Sequence, residues 1–341
     1  MDKRISKKLL LCFTFILLSA CLSSCKEYKA KAIITVNTNI SKDTESVNSK
    51  LHINNYEINI DGLNSEYKFL FITDSHVINE NREDLGWFGS TDKRGFKDSN
   101  SISSADNFPL WISYANNHKV NALIMGGDII DYLSNNNVRF IKSKLKSLKT
   151  QWIYTLGNHD SYIPWKNRFN NKNNGLSQLL IKGDYEVQVL DEKEFFIVAV
   201  KDYATNGTAS ISQKAFKEFK KIYEKCKPII LVMHVPLNTD HTGSLKKVVN
   251  GYFGKCFLTY DADEFGKVSE SLLMGENCGY KIDNNTKKFI KLITKEDGPV
   301  KTILAGHIHQ TWQGKINKSV SEYIGPAAYM DNGTLITIKS K

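Results

Sequence analysis

Arginine and long apolar stretches are scarce in this chain. Only five of its 46 Lys and Arg residues are Arg, whereas nucleic-acid grooves favour the bidentate fork of Arg and local basic runs. The lysines are scattered, so the formal net charge of +10 indicates a solvated basic surface, which still suits an anionic substrate. No Pro-rich or Gly/Ser-rich linker interrupts the middle of the chain. With 41% hydrophobic residues over 341 positions, the composition excludes a disordered or polytopic membrane protein and predicts one globular domain.

The first 50 residues resemble the leader and tether of a bacterial lipoprotein. Basic residues precede an apolar run, Leu9–Leu18, that is too short to span a bilayer but typical of a secretory signal. The tetrapeptide LSAC ending at Cys21 resembles a lipobox, in which the cysteine thiol accepts the lipid. We therefore expect a signal peptide over residues 1–20, lipidation of Cys21, a polar tether over residues 21–50, and an exported protein held on the extracytoplasmic side of a bacterial membrane. A second lipobox-like sequence ends at Cys25, and an ordinary cleaved signal is the other alternative.

Short apolar runs alternate with helical patterns from residue 51 to the end of the chain. Five runs predict buried strands, at residues 68–73, 122–125, 152–156, 229–233 and 302–305. Alternating segments predict further strands, at residues 51–60, 187–190, 195–200, 321–324 and 335–338. The dipeptides Glu192-Lys193 and Asn332-Gly333 are typical of hairpin turns. Apolar stripes predict helices, at residues 109–117, 138–148, 210–223 and 289–293. The pattern favours an α/β (α+β) fold with two sheets and helices outside them.

Each of the five apolar runs ends in side chains that bind metals. These tails are Asp74-Ser75-His76, Gly126-Gly127-Asp128, Gly157-Asn158-His159-Asp160, His234 and Gly306-His307-Ile308-His309. The carboxyl ends of strands in an α/β sheet open onto a common crevice. A single tail of this kind would be an ordinary turn, but the five tails together hold five of the eight histidines. The repetition therefore indicates one shared site.

Seven side chains in these tails are candidate metal ligands. They are Asp74, His76, Asp128, Asn158, His234, His307 and His309. Carboxylates, imidazoles and an amide carbonyl, without thiolate, suit Mn, Fe or Zn. Seven ligands are too many for one tetrahedral ion, but they fill two sites if one carboxylate bridges. Two cations about 3.5–4 Å apart clamp the oxygens of a phosphoryl transfer and lower the pKa of a bound water towards neutrality.

The five blocks together resemble the calcineurin-like metallophosphoesterase superfamily. Its pattern is D-x-H, GD-x-x-D, GNH-D/E, H and GH-x-H in that order, and the resemblance covers residues 68–326. It implies a four-layer αββα sandwich with two divalent or trivalent metal ions. It also implies the ligand sets: a first metal held by Asp74, His76 and His309, a second held by Asn158, His234 and His307, and Asp128 between the two.

The same resemblance implies a mechanism for phosphoester hydrolysis. A metal-bridging hydroxide attacks phosphorus, and His159 is the general acid that protonates the leaving oxygen. Asp160 would orient His159 or fix its loop, and Asp131 would support the GD turn. Because Asp131 stands where purple acid phosphatases carry a Tyr ligand, an Fe(III)-tyrosinate site is not expected. The sequence after Asp128 also lacks the Asp-Arg-Gly ending typical of protein Ser/Thr phosphatases.

The expected substrate is a small phosphorylated molecule or an envelope phosphoester, either a monoester or a diester. Segments 78–107 and 239–276 are interpreted as insertions on the active-site side. Their aromatic residues could line a substrate pocket or merely pack a local lid; these are Trp87, Phe88, Tyr252, Phe253 and Tyr260. His241 is a further candidate substrate contact. Two alternatives stay open: a catalytically silent surface-binding lipoprotein on the same fold, and an extracellular nuclease that uses the Lys-rich insertions.

Overall fold

A computed structural model provides the fold, and the described part of the chain excludes both ends and several loops. The described residues are 51–79, 96–163, 168–169, 185–202, 209–238, 245, 248, 258–259 and 283–340. The predicted signal peptide, Cys21, Cys25 and the tether lie outside them. None of the helices in the described ranges is long and apolar enough to cross a bilayer.

Fifteen strands and four α-helices make up the described secondary structure. The strands are β1 His52–Asn59, β2 Tyr67–Ile72, β3 Ala122–Met125, β4 Gln151–Tyr154, β5 Tyr162–Ile163, β6 Arg168–Phe169, β7 Val187–Asp191, β8 Phe196–Val200, β9 Ile229–Val232, β10 Leu237–Asn238, β11 Leu258–Thr259, β12 Val300–Ala305, β13 Trp312–Lys315, β14 Ser321–Ile324 and β15 Asn332–Lys339. The helices are α1 Ser104–Asn117, α2 Asn135–Leu145, α3 Gln213–Tyr223 and α4 Asn284–Ile293. Two 3₁₀ turns, His159–Ser161 and Ala328–Met330, complete the set.

The four helices begin where the sequence supplies a capping side chain. Ser103, Ser134 and Ser212 each accept a hydrogen bond from a backbone N–H of the first turn, and Asp283 accepts two. Such caps satisfy donors that have no partner within the helix. The predicted start of α3 is therefore correct to within a few residues, whereas α1 begins five residues before the predicted Pro109 because Ser103 caps it.

Two mixed sheets pack face to face. The first has the spatial order β1-β15-β2-β3-β4 and the second β13-β14-β12-β9-β8-β7. A shared apolar layer between them includes Phe69 and Ile124 from the first sheet and Ile230 and Leu304 from the second. Helices α1 and α2 cover the outer face of the first sheet, and α3 and α4 cover that of the second. The predicted four-layer αββα sandwich is confirmed.

The strands adjacent to the sheet centres are buried on both faces. Strands β3 and β9 consist wholly of buried residues, as expected for parallel strands that are covered by helices on one side and by a second sheet on the other. Because both faces are buried, their side chains do not alternate between apolar and polar. The sequence of each strand is therefore a continuous apolar run. The pairing β2-β3-β4 is parallel, as is β8-β9-β12.

The predicted hairpin turn at Asn332-Gly333 is wrong. Both residues lie in β15, which pairs with β1 and β2 of the first sheet, whereas the preceding strand β14 belongs to the second sheet. A Cβ on Gly333 would lie 2.7 Å from the Trp111 ring, so glycine at this position makes room for a core side chain. The turn at Glu192-Lys193 is confirmed, because β7 and β8 pair antiparallel across it.

Candidate metal centre

The seven candidate ligands converge at one edge of the paired sheets. Asp74 and His76 follow β2, Asp128 follows β3 and Asn158 follows β4; in the second sheet, His234 follows β9, and His307 and His309 follow β12. All are buried except His309, whose side chain is 9% exposed. The strand ends thus bring together residues that lie up to 235 positions apart in the sequence.

The first cluster is formed by Asp74, His76 and His309. One donor atom from each lies within 4.8 Å of the others. The Nε2 atoms of His76 and His309 are 3.0 Å apart, and Nε2 of His309 lies 3.4 Å from Oδ1 of Asp74. Two imidazole nitrogens that face each other beside a buried carboxylate need a proton or a cation between them.

The second cluster is formed by Asp128, His234 and His307. Nε2 of His234 lies 3.2 Å from Oδ2 of Asp128 and 3.3 Å from Oδ1 of Asn158. The same Oδ2 of Asp128 is 3.7 Å from Nε2 of His76 in the first cluster. Asp128 therefore lies between the two clusters, where its carboxylate could serve both.

Backbone conformation is unusual at most of these positions. Five candidate ligands have positive φ: Asp74 (52°), His76 (40°), Asp128 (48°), His307 (74°) and His309 (56°). Non-glycine residues rarely adopt this region, and each instance costs about 1–3 kcal/mol. Such strain persists where the surrounding structure holds it, and it clusters at functional sites. The strain supports a functional role for this edge of the sheets.

Gly127 provides a test of how closely the backbone approaches the centre. Its φ is +95°, and a Cβ there would lie 2.4 Å from Nδ1 of His234. Gly62 has a similar φ of +82° with nothing within 4 Å of a Cβ. We expect Gly62→Ala to lower the unfolding free energy by about 1–2 kcal/mol through φ alone, and Gly127→Ala to lower it by about 1–3 kcal/mol more, because of the steric clash. Gly127→Ala should also reduce metal content, whereas Gly62→Ala should not; urea unfolding and metal analysis measure both. Equal losses in the two variants would contradict this close approach.

The pKa values of the histidines indicate that the buried carboxylates of the clusters favour a positive charge nearby. Burial lowers the pKa of His234, but the Asp128, Asp74 and Asp202 carboxylates outweigh burial and raise the pKa to about 10. Burial and the neighbouring His234 charge lower the pKa of His307 to about 3. The protonated imidazole of His234 thus balances the charge of the buried carboxylates, and a bound cation could do the same. Protons and metal ions compete for the same nitrogen atoms, so metal affinity is expected to weaken at low pH.

His159 is held by Asp131 rather than by Asp160. Its Nδ1 lies 2.8 Å from both Oδ1 and the backbone oxygen of Asp131. Burial lowers the pKa of His159, but the charges of Asp128 and Asp131 raise it to about 10. The side chain is 21% exposed, and because Nδ1 contacts Asp131, Nε2 is the ring nitrogen available to a second partner. His159 also falls within a third group of possible ligands, with His76 and Asp128.

Asp160 fixes the loops, which is one of the two roles considered for it. Its Oδ1 accepts a hydrogen bond from the Ile130 backbone N–H at 3.0 Å, and its Oδ2 accepts one from the Gly157 N–H at 2.8 Å. It joins the segments that carry Asp128 and Asn158. Burial, together with the charge of Asp128, raises the pKa of Asp160 to about 7.

Asp202 is a buried carboxylate that the sequence analysis missed. It follows β8 and accepts hydrogen bonds from the backbone N–H groups of His234 and Val235, at 3.0 and 2.7 Å. It therefore fixes the turn that presents His234. Asp202 lies two residues after the predicted strand at residues 195–200, a position similar to those of the polar tails that were used.

Two aromatic residues near the centre were also missed. Phe96 stacks on His76, and Tyr329 lies 5.5 Å from the His309 ring.

The predicted pocket residues lie outside the described residues, and so does His241; the pocket residues are Trp87, Phe88, Tyr252, Phe253 and Tyr260.

Comparison with known proteins assigns the chain to a family. The profile of the calcineurin-like phosphoesterases matches residues 67–311, a range that contains all seven candidate ligands. The chain belongs to the calcineurin-like phosphoesterase family and is a metal-dependent phosphoester hydrolase. A search of curated protein sequences found no match.

Several solved structures are similar to this chain at low sequence identity. A dimetal phosphatase from Danio rerio is 12% identical with a TM-score of 0.49, over 77% of this chain and 88% of that one. A purple acid phosphatase from yellow lupin (Lupinus luteus) seeds is 11% identical with a TM-score of 0.43, over 79% of this chain and 46% of the lupin chain. A 5'-nucleotidase from Candida albicans is 12% identical with a TM-score of 0.38, over 77% of this chain and 45% of that one.

Proposed function

We propose that the protein is a dinuclear phosphoesterase that hydrolyses a small phosphomonoester or phosphodiester. The observation that supports this most directly is the position of Asp128, whose Oδ2 lies 3.2 Å from His234 in one cluster and 3.7 Å from His76 in the other. Two buried carboxylates, Asp74 and Asp128, and the partly buried carboxylate of Asp131 face imidazoles there, and no Lys or Arg among the described residues forms an ion pair with them. The donor set therefore fits cations.

Each cluster would hold one metal ion. Asp74, His76 and His309 would bind the first, with Asp128 shared. Asn158, His234 and His307 would bind the second. Oxygen and nitrogen donors without thiolate suit Mn, Fe or Zn. When bound, two such ions supply charge stabilisation at the phosphoryl oxygens and activate water.

The chain's own residues would supply the proton for the leaving group. Asp131 accepts the Nδ1 hydrogen of His159, which fixes the tautomer and leaves Nε2 as the donor towards the substrate. A carboxylate in this position also favours the charged, proton-bearing imidazole. His159 would therefore protonate the leaving oxygen, and Asp160 would keep the loop of His159 joined to that of Asp128.

The proposed activity is tested with a panel of phosphomonoesters and phosphodiesters. The purified protein would be stripped with a chelator and assayed after addition of Mn, Fe or Zn. We expect hydrolysis to vanish with the chelator and to return with at least one metal. Hydrolysis of single-stranded DNA but of no small ester would favour the nuclease alternative, and absence of hydrolysis with both metals bound would favour a silent binding protein.

We further propose that the enzyme acts at the outer surface of a bacterial membrane, held by lipid on Cys21. The tether would connect the lipid on Cys21 to the start of β1. Strand β1 is parallel to β15, which is antiparallel to β2, so β1 begins at the edge where β2 ends. The tether would therefore join the domain on the side of the candidate centre.

The lipid anchor is tested by labelling cells with a fatty-acid probe. Acyl chains contribute about 0.8 kcal/mol per buried methylene, and two or three of them hold a protein firmly. We expect labelling of the wild type, loss of labelling in Cys21→Ala, and release of this variant from the membrane fraction. Cys25→Ala is the matched control and should remain labelled. Labelling that disappears only in Cys25→Ala would transfer the anchor to the second lipobox.

A further inference from the structure

Phe96 and Tyr329 form an aromatic wall beside the candidate centre, although neither belongs to a motif. The Phe96 ring stacks on His76 with the centroids 4.1 Å apart and the planes 13° apart. The same ring meets His159 edge to face, at a centroid distance of 6.4 Å. Tyr329 meets Phe96 edge to face at 4.8 Å and lies 5.5 Å from the His309 ring. The aromatic wall therefore borders both the first cluster and the proposed acid.

Hydrogen bonds to the backbone of Phe96 and Tyr329 hold the aromatic wall in place. The Phe96 carbonyl accepts the Ser104 N–H at 3.0 Å, where α1 begins. The Tyr329 carbonyl accepts from Nδ2 of Asn107 at 3.1 Å, and the Tyr329 N–H donates to the carbonyl of Asp74 at 3.3 Å. Phe96 is partly exposed, whereas Tyr329 is 9% exposed. A fixed and partly exposed ring presents a binding surface without a large entropic cost for ordering it.

The position of His159 relates the aromatic wall to one part of the substrate. A general acid lies about 2.6–3.2 Å from the oxygen that it protonates. The organic group that leaves with this oxygen therefore begins close to His159, within reach of the Phe96 ring. We propose that the aromatic wall binds this organic group and that preferred substrates carry an apolar or aromatic group there. This inference rests on the proposed function and names its substrate class.

The chemistry of the wall discriminates between leaving groups. An aromatic group gains ring contacts and buries apolar surface against Phe96, whereas a short alkyl group cannot reach as much of the ring. A strongly anionic group such as a phosphate chain would instead lie against the π-faces of the aromatic rings. The nearby carboxylates of Asp74 and Asp131 would repel it as well. Single aromatic contacts typically change affinity by about three- to tenfold.

The test uses phenylphosphonate and methylphosphonate, which have the same anionic head and cannot be hydrolysed as esters. Calorimetry with the metal-loaded protein gives a Kd for each. We expect the wild type to bind phenylphosphonate about tenfold more tightly than methylphosphonate. Phe96→Ala should abolish this preference and leave the Kd of methylphosphonate and the metal content unchanged. Phe216→Ala is the matched control, because Phe216 is also partly buried but lies on α3, on the outer face of the second sheet.

Kinetics on naphthyl and phenyl phosphate give a second measurement, because their leaving groups have similar acidity. The wild type should favour the naphthyl ester in KM, and Phe96→Ala should lose that preference. An unchanged preference in Phe96→Ala, with both esters still hydrolysed, overturns the inference but not the proposed function. Failure of the wild type to bind methylphosphonate or to hydrolyse any ester overturns the proposed function itself. If Phe96→Ala and Phe96→Leu both lose metal, Phe96 only supports His76, and the inference is also wrong.

Discussion

Replacing Asp128 with Asn is expected to remove both metal ions and to lower kcat/KM by about 10³-fold or more, since metal ions contribute several kcal/mol to transition-state stabilisation. The carboxylate lies between the two clusters, 3.2 Å from His234 and 3.7 Å from His76. An amide of nearly the same shape keeps the volume but removes the negative charge that both cations would share. The measurement is metal content per chain, together with kcat/KM on a phosphomonoester.

Two further variants serve as controls for this experiment. His307→Asn removes a ligand from the second cluster alone, so it should lower the metal content towards one per chain. Glu66→Gln neutralises an exposed carboxylate whose partner is Lys68, with both side chains 49% exposed, and such pairs contribute little. It should keep both metals and full activity. A metal content near one in active wild-type protein, or near two in Asp128→Asn, would contradict the dinuclear centre.

The strands of the two sheets could be predicted because burial on both faces selects apolar residues at every position. Strands such as β3 and β9 are apolar at every position, and the residues that follow them are polar because they leave the core. The same alternation of strand ends and polar tails gave the positions of the candidate ligands. The order of strands within each sheet follows no such local rule, since β15 is the last strand in sequence and yet lies between β1 and β2.

The misinterpretation of Asn332-Gly333 has a definite physical cause. A local rule treats this dipeptide as a turn because glycine tolerates positive φ. Here the requirement is steric, because the Trp111 ring packs against the backbone of β15. The contact joins residues that are 222 positions apart, and a local pattern contains no information about it.

The supporting residues of the centre were predictable to different degrees. Asp131 was noted, but its contact with His159 depends on two loops meeting, at 2.8 Å. Asp202 lies two residues after the buried strand β8 and could have been included by the rule that was applied to the other tails. Phe96 follows a segment with no recognisable pattern, and only the tertiary fold brings it against His76. Sequence motifs therefore predict the candidate ligands, whereas the residues that orient them require the structure.

His159→Asn is expected to separate proton donation from metal binding. His159 contacts Asp131 through Nδ1 and is 21% exposed, while the adjacent Asn158 lies within 3.3 Å of His234. The adjacent side chains of Asn158 and His159 thus contact different residues, so the variant should retain both metals. A general acid typically contributes about 10²–10⁴-fold, and most when the leaving oxygen is a poor anion.

The expected result is a loss of about 10²–10⁴-fold in kcat/KM on an alkyl phosphate, with a much smaller loss on nitrophenyl phosphate, whose phenolate leaves without a proton. Asp131→Asn should reduce activity with the same selectivity but less severely, because it removes only the group that orients the imidazole. His118→Asn is the matched control: this histidine is exposed and contacts Tyr114 of α1, so neither ester should be affected. Metal analysis accompanies each assay, because His159 lies within reach of Asp128 and His76 as a possible ligand. Equal losses on both esters with the metals intact would remove His159 from the role of acid, and loss of metal would make it a ligand.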